Sequence, residues 1–148
     1  MSFQSLNKLF FDRAEQYAEK PFLWSKKNKE WSPLTWNETS LKVKQFASGL
    51  KSLGIKSGDK VVIVSENRPE WIIADLAINL IGAVTVPAYT TNTEDDHHYI
   101  LEHSDAKAVI ASNNILANRV ALATTRTKLC KILITLDNYS GFEPDNLK

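Results

Sequence analysis

The sequence contains a single cysteine, Cys130, so no disulfide can form within the chain. Its apolar and basic neighbours predict the buried edge of a strand, and no histidine or acid lies near enough in sequence to activate a catalytic thiol. Long apolar runs are also missing. The most apolar segment, residues 71–86, is interrupted by Asp75, Asn79 and Gly82 and is shorter than the ~20 residues that cross a bilayer. The first residues carry charges before any apolar run, so we expect no secretory signal and a cytoplasmic location.

An excess of one charge sign is absent as well. The chain has 18 basic and 17 acidic residues, a net charge of +1. Its densest basic cluster, Lys26, Lys27 and Lys29, is predicted to be a solvated turn. Nucleic-acid binding needs a dense positive face, so nucleic acid is not an expected partner. The 43% hydrophobic and 24% charged residues exclude a disordered tail and indicate globular structure.

The first third of the sequence predicts a helix, a hairpin and a second helix. Apolar residues recur at helical spacing over about residues 5–19, and Pro21 follows them. Residues 22–25 and 31–36 flank a polar KKNKE tip, which is typical of a hairpin. Thr35 and Glu38 fit a capping box that begins the next helix. Its expected buried stripe comprises Leu41, Phe46, Ala47, Leu50 and Leu53.

The remaining sequence alternates between strand and helix patterns. Strands are predicted at residues 60–64, 83–87, 108–111 and 131–135, and helices at residues 70–80, 93–104 and 114–126. Asn67 and Pro69 are expected to begin the first of these helices, and Gly54 and Gly82 to end helices. This alternation predicts an α/β fold with a mainly parallel sheet, preceded by the N-terminal helix and hairpin. Residues 138–148 are predicted to form an irregular tail.

Motifs that carry chemistry are largely missing. The sequence has no G-x-G-x-x-G, H-E-x-x-H, C-x-x-C or G-x-S-x-G pattern. Its nearest approach to a phosphate-binding loop, Gly49-x4-Gly54, is followed by Ile55 where a lysine is required. We interpret this segment as the end of a helix, whereas a phosphate cradle needs the beginning of one.

Histidines and acids cluster near residues 94–103. His97 and His98 lie six and five residues before His103, spacings that place neither pair on one helical face, and no cysteine is near to complete a metal site. A surface or helix-end role is therefore expected for them. Glu94, Asp95 and Asp96 are predicted to favour a helix dipole rather than to bind a cation.

Four tryptophans are the remaining candidates for ligand binding, because aromatic rings can stack on a base. Three of them lie in or beside the predicted hairpin, where cross-strand aromatic packing is the expected role. The four are Trp24, Trp31, Trp36 and Trp71.

Several sequence phrases resemble the opening of the AMP-forming acyl-CoA synthetases, the adenylating superfamily that includes fatty-acid ligases. They cover about residues 6–134, and the S-E-N-R-P-E-W and Y-I-L-E-H-S forms most resemble the long-chain fatty-acid branch. The phrases are Leu34-Thr35-Trp36-Asn37-Glu38, Lys56-Ser57-Gly58-Asp59-Lys60-Val61, Ser65-Glu66-Asn67-Arg68-Pro69-Glu70-Trp71, Gly82-Ala83-Val84-Thr85-Val86-Pro87 and Tyr99-Ile100-Leu101-Glu102-His103-Ser104.

The resemblance implies a two-step reaction. A carboxylate attacks the α-phosphate of ATP, with Mg²⁺ neutralising phosphate charge, and the CoA thiol then displaces AMP. In that family the phosphate loop, the nucleotide contacts and the catalytic lysine lie further along, so no catalytic, cofactor-binding or metal-binding residue is assigned here. Residues 1–148 are then expected to be the N-terminal portion of an AMP-binding ligase domain, inactive alone. Its expected partners are the remainder of the ligase chain and a fatty acid, while homodimerisation and peripheral membrane association of the parent enzyme stay open.

One departure from the family concerns the loop over residues 86–93. Many relatives have a second proline shortly beyond the tyrosine, whereas this chain reads Ala88-Tyr89-Thr90-Thr91. The departure puts in doubt any substrate-lining role for Tyr89 or Thr91. Two other hypotheses stay open: a non-catalytic α/β interaction module, and an adenylating enzyme for a different carboxylate.

Overall fold

A computed structural model describes residues 5–148, with the exception of the Lys27 side chain. It has five helices and six strands in the described part of the chain, in an order that confirms the predicted α/β alternation. In chain order they are α1 (Leu6–Tyr17), β1 (Pro21–Lys27), β2 (Glu30–Thr35), α2 (Trp36–Ser52), β3 (Lys60–Val64), α3 (Pro69–Leu80), β4 (Val84–Ala88), α4 (Glu94–His103), β5 (Ala106–Ala111), α5 (Asn114–Thr125) and β6 (Ile132–Thr135).

The central sheet is parallel and has the strand order β4-β3-β5-β6. Alternate residues of β3 face opposite sides of the sheet, as strand geometry requires. Val61 and Ile63 pack with α2 and α3 in one core cluster, and Val62 and Val64 pack with α4 and α5 in another. The sheet is thus buried on both faces, which explains why residues 61–64 of β3 are all apolar.

The antiparallel hairpin β1–β2 and helix α1 lie beside α2. Trp36 begins α2 instead of ending β2, because Thr35 forms the predicted capping box with Glu38. The Trp36 ring packs on Phe22, with the ring centroids 3.8 Å apart, and also contacts Phe10. These aromatic contacts fasten the hairpin to the helical layer.

The predicted stripe of α2 is partly wrong. Leu41 and Leu53 are 56% and 42% exposed, whereas Thr39 and Val43 are buried with Ala47 and Leu50. The buried set recurs every three or four residues from Thr39 onward, and Leu41 falls on the opposite side of that face. Choosing the buried face of α2 by its leucines therefore placed that face about half a helical turn from its true position at the start of the helix.

The predicted start of α3 also needs correction. Arg68 is the N-cap residue, and no side chain caps the helix, so Asn67 does not have the expected role. Pro69 occupies the first turn, where its missing N–H costs nothing, and it holds the preceding residue in extended conformation. The Arg68 side chain is thereby free to reach across the sheet edge.

Gly54 and Gly82 have positive φ angles of 85° and 76° and follow the ends of α2 and α3, as predicted. Residues 136–148 form no further helix or strand. Backbone atoms of Lys148 pair with the outer edge of β6, donating to Lys131 O at 2.9 Å and accepting from Leu133 N at 3.1 Å. None of the described helices has both the length and the apolar character needed to cross a bilayer.

Candidate functional site

The carboxyl ends of β3 and β5 form the candidate site. The chain leaves β3 through α3 to reach β4 on one side, and leaves β5 through α5 to reach β6 on the other. Connections that diverge in this way open a crevice between the two strands, and open α/β sheets bind ligands at that point. The residues that follow each strand therefore define the site.

Glu66 and Ser112 meet at this crevice. The Ser112 hydroxyl donates a short hydrogen bond to Glu66 Oε2, and Asn113 Nδ2 donates to Ser112 Oγ at 3.3 Å. The hydrogen bond from Ser112 outweighs the effect of burial and lowers the pKa of the Glu66 carboxyl. Glu66 is thus held as a carboxylate that accepts hydrogen bonds.

Arg68 joins the ends of three strands. Its Nε donates to Glu70 Oε2 at 2.8 Å, its Nη2 to Asp137 Oδ1 at 3.1 Å and its Nη1 to Ser112 O at 3.4 Å. The hydrogen bond to Glu70, with a further contribution from Asp137, raises the pKa of Arg68. Two carboxylates already neutralise this guanidinium. Arg68 is therefore better suited to linking the strand ends than to binding a phosphate.

Arg119 holds the loop that follows β4. Its Nη1 donates to Thr90 O at 3.1 Å and to Asn92 O at 2.9 Å. Together with Glu66 and Asn113, these groups line a shallow pocket of about 290 Å³, which Ile115 and Leu116 complete. A pocket this small, with a carboxylate and a guanidinium on its wall, can hydrogen-bond a small polar group but cannot enclose a large ligand.

The structure does not bring the histidines together as a metal site. The described residues contain no group of three or more His, Cys, Asp or Glu side chains that could hold a metal ion. His103 stacks on Tyr99 with the ring centroids 5.3 Å apart. His97 is 1% exposed, so the expected surface role is wrong for it. Sequence spacing could not reveal that this histidine is buried.

The acids of α4 have structural partners. Asp96 forms a capping box with Thr93, and Glu94 and Asp95 lie 3.4 and 2.6 Å from Arg126 Nη1. Their predicted role at the helix N-terminus is confirmed. Cys130 is fully buried just before β6, and burial raises its pKa to about 12, as expected of a structural thiol.

Two tryptophans differ from expectation. Trp24 and Trp31 are 52% and 64% exposed. They lie opposite Pro33 and Lys26 in the hairpin register, so the predicted cross-strand aromatic packing does not occur between them. Trp71, in contrast, is half-buried and packs against the first core cluster.

Sequence reasoning missed the hydrogen-bonded network of Glu66, Arg68, Ser112 and Asp137, and it missed Arg119, which lines the pocket beside Glu66. Glu66, Ser112 and Asp137 lie within two residues of the ends of predicted strands, and that position was the available signal. Tyr89 and Thr91 are both exposed, and of the loop over residues 86–93 it is Thr90 that lines the pocket.

Comparisons with known proteins give consistent similarities. The family described as AMP-binding enzyme matches residues 10–146. Long-chain-fatty-acid–CoA ligase FadD15 of Mycobacterium tuberculosis is 41% identical over 91 residues, which are 62% of this chain and 15% of that protein. Long-chain-fatty-acid–CoA ligase ACSBG2 of Gallus gallus is 30% identical over 119 residues, 80% of this chain and 16% of that protein. The chain thus spans about a sixth of the length of these relatives.

Solved structures share the fold. A benzoate CoA ligase from Burkholderia xenovorans superposes with a TM-score of 0.79 and 27% identity, over 90% of this chain and 26% of that one.

Proposed function

Because the chain belongs to the AMP-binding enzyme family, we propose that it contributes part of the N-terminal domain of an ATP-dependent, AMP-forming ligase for long-chain fatty acids. In the proposed reaction the fatty-acid carboxylate attacks the α-phosphate of ATP, which releases pyrophosphate and gives an acyl-adenylate. The CoA thiol then attacks the acyl carbon, and AMP leaves. The observation that carries the proposal is the family match over residues 10–146, supported by the two ligases named above.

We assign no step of that reaction to the residues described here. ATP with Mg²⁺ needs a phosphate-binding loop and acidic or neutral oxygen ligands that converge. The described residues offer no such cluster, and the guanidinium of Arg68 is engaged by Glu70 and Asp137. The described side chains therefore do not fit an ATP–Mg²⁺ site. The role that we propose for this part of the ligase is structural: it forms a scaffold on which the rest of the domain packs.

An apolar groove supports this scaffold role. It has a volume of about 470 Å³ and lies between α2, α3 and the end of β6. Its apolar lining residues are Phe46, Leu50, Leu53, Ile73, Ile134 and Leu136. In the proposed ligase the remainder of the chain packs on this groove, because covering it removes exposed leucine and isoleucine surface from water.

The first test compares the 148-residue chain with a longer product, obtained by following the reading frame beyond Lys148. Both are assayed for fatty-acid-dependent exchange between ATP and pyrophosphate. We expect activity from the longer product and none from the shorter one. Acyl-AMP formation by the 148-residue chain would overturn the scaffold role, and a stop codon after Lys148 would redirect the search to a non-catalytic module and its partners.

A matched pair of substitutions tests the groove. Leu53→Asp places a charge in the groove at the C-cap of α2, whereas Leu41→Asp places the same charge at an exposed position within α2 that does not line the groove. In the longer product, Leu53→Asp should lower the melting temperature and the exchange rate, and Leu41→Asp should leave both near wild type. Equal effects of the two substitutions would argue against packing at the groove.

The benzoate CoA ligase similarity supports a second candidate, an aromatic acid as the substrate. Exchange assays of the longer product with hexadecanoate and with benzoate distinguish the two. Light scattering of the same product tests whether the parent enzyme forms a homodimer, which the sequence leaves open.

A further inference from the structure

Lys148 lies at the outer edge of β6 in the position of a residue of a further parallel strand. Its N–H donates to Lys131 O at 2.9 Å, and its C=O accepts from Leu133 N at 3.1 Å. Lys131 and Leu133 are the residues before and after Ile132, and hydrogen bonds to both are the pattern by which one residue of a parallel strand pairs with its neighbour. Lys148 and Ile132 therefore form the first step of a parallel ladder.

Residues 136–147, which we call the return segment, bring the chain back to the start of β6. Parallel neighbours in a sheet need a connection of about a dozen residues or more, and the return segment has that length. It follows α5 from the first turn of that helix to the last. Hydrogen bonds hold it there in sequence order, from Ser140 N to Asn114 Oδ1 at 3.2 Å, from Phe142 N to Asn118 Oδ1 at 3.0 Å and from Asn146 Nδ2 to Thr124 O at 3.3 Å.

The rest of the outer edge of β6 is open. Alternate residues of a strand direct their backbone groups to opposite neighbours. Leu136 N donates to Ala111 O on β5 at 3.0 Å, whereas Leu133 N donates to Lys148 O on the other side. Thr135 therefore faces the outer edge as Leu133 does, and there the described part of the chain supplies its N–H with no backbone acceptor.

The two edges of the sheet differ in sequence. β4, at the opposite edge, contains Pro87, which has no N–H to donate to a further strand. β6 has the sequence Ile-Leu-Ile-Thr, with three β-branched residues and no proline, a composition that favours strand pairing. Of these two strands, β6 is therefore the one better suited to accept a further neighbour.

Two cavities flank the open edge, one on each face of the sheet. The apolar groove of about 470 Å³ lies on the side of Ile134, which packs with the first core cluster. A second cavity of about 770 Å³ lies on the side of Leu133, between β6 and the return segment, and is lined by Tyr139 and Phe142. Successive side chains of a strand point to opposite faces. A strand at this edge would thus place its side chains alternately in the two cavities.

We propose that the outer edge of β6 is the docking site for a fifth parallel strand, formed by the residues that directly follow Lys148 in the longer product. The inference rests on the proposed function for the existence of that product, and it specifies where the remainder of the ligase first packs. Since Lys148 lies beside Ile132 and β6 ends at Thr135, three further residues complete the ladder.

The second of these three residues has the most closely defined environment. It lies beside Ile134, its N–H donates to Leu133 O, and its C=O accepts from Thr135 N. Ile134 lines the apolar groove, and directly paired residues of parallel strands share a face. The side chain of the second residue therefore enters the groove, where a large apolar group removes the most surface from water.

The reading frame beyond Lys148 gives the first test. We expect Val, Ile, Leu, Met, Phe or Tyr at the second codon after Lys148. A charged residue or a proline at that codon would overturn the docking site, because the former would be buried in an apolar groove and the latter has no N–H for Leu133 O. A stop codon directly after Lys148 would overturn the docking site together with the longer product.

Hydrogen–deuterium exchange tests the ladder itself. The 148-residue chain and the longer product are compared by mass spectrometry of fragments that resolve the amides of β6. The Thr135 amide should exchange more slowly in the longer product by roughly tenfold or more, because it gains an acceptor. Equal exchange of this amide in the two chains would overturn the proposal, and the comparison requires no substituted variant to fold.

A matched pair of proline substitutions in the longer product is the control. Proline at the second residue after Lys148 removes the N–H that donates to Leu133 O, whereas proline at the first residue removes an N–H that points away from β6. Only the former should restore fast exchange at Thr135, and it should lower the melting temperature further than the latter does. Equal exchange at Thr135 in the two variants would contradict the predicted register.

The fatty-acid-dependent exchange assay separates this inference from the proposed function. An active longer product in which Thr135 exchanges as fast as in the 148-residue chain would overturn the docking site and leave the ligase function intact. An inactive longer product in which Thr135 is protected would support the docking site and overturn the ligase function.

Discussion

His97 should make the stability of the folded chain depend on pH. Its side chain is 1% exposed, and its Nε2 has no hydrogen-bond partner among the described residues. Burial, and then the positive charge of Arg119, lower its pKa, and the opposing effect of Asp96 is smaller. The imidazole is therefore neutral in the folded protein at neutral pH.

The sign of the effect follows from proton binding. An unfolded chain gives His97 a pKa of about 6.5, above its value in the folded chain. Between these two values the unfolded state binds the additional proton, so the free energy of unfolding falls as the pH falls from about 6.5 toward the folded pKa. One proton limits the slope to about 1.4 kcal/mol per pH unit. Above about pH 7 the contribution of His97 is complete and the slope vanishes.

The substitution His97→Leu removes the titrating group and keeps an apolar side chain of similar size in its place. Urea unfolding of both proteins at about pH 7.5 and about pH 5.5 gives the change in the free energy of unfolding between the two pH values. The carboxylates contribute equally to this change in both proteins, so their contribution cancels when the two are compared. We expect the variant to lose less stability on acidification, by up to about 1.4 kcal/mol per pH unit. His103→Gln, at an exposed position, should behave as the wild type does. Identical pH dependence in the wild type and His97→Leu would refute the reasoning.

Three further predictions concern stability and reactivity. Gly82→Ala should destabilise the chain by about 1–3 kcal/mol, because φ at this position is +76° and the new Cβ would lie 2.6 Å from Ser57 Oγ. Gly49 lies on α2, and a Cβ added there meets no other atom within contact distance. Gly49→Ala should therefore stabilise the chain by up to about 1 kcal/mol. Urea unfolding measures both, and a stabilising Gly82→Ala would contradict the structure. Thr35→Ala removes the capping box of α2 and should cost about 1 kcal/mol, whereas Ser40→Ala inside the same helix should be neutral or slightly stabilising by thermal melt. Cys130, with its pKa raised to about 12 by burial, should react with an aromatic disulfide reagent only as fast as the chain unfolds, and rapid stoichiometric labelling of the folded chain would contradict that account.

The parts of the fold that local chemistry determines could be predicted from sequence. The Thr35–Glu38 capping box and the continuous apolar run of β3 each reveal their structure within a few residues. Long-range contacts decided the features that were predicted wrongly. Leu41 is exposed because the adjacent helices cover only one side of α2. The start of α3 is an exception, because a local effect, the position of Pro69, places Arg68 at the cap.

The candidate site was harder to predict for the same reason. Glu66 and Ser112 are 46 residues apart, and Arg68 and Asp137 are 69 apart. Only the strand order brings these groups to one edge, and that order cannot be read from periodicity. The sequence did indicate that acids at the start of α4 serve the helix, because their effect is confined to one turn.

The position of β3 in the sheet has a consequence for the time at which the chain folds. Both hydrogen-bonded neighbours of β3 follow it in the sequence, since Val61 pairs with Thr85 on one side and with Ala108 on the other. A ribosome therefore releases the Val-Val-Ile-Val run well before either neighbour exists, and such a run is prone to associate with other nascent chains. Slow synonymous codons between Ala88 and Ala111 would prolong that interval and lower the soluble yield without altering a single residue.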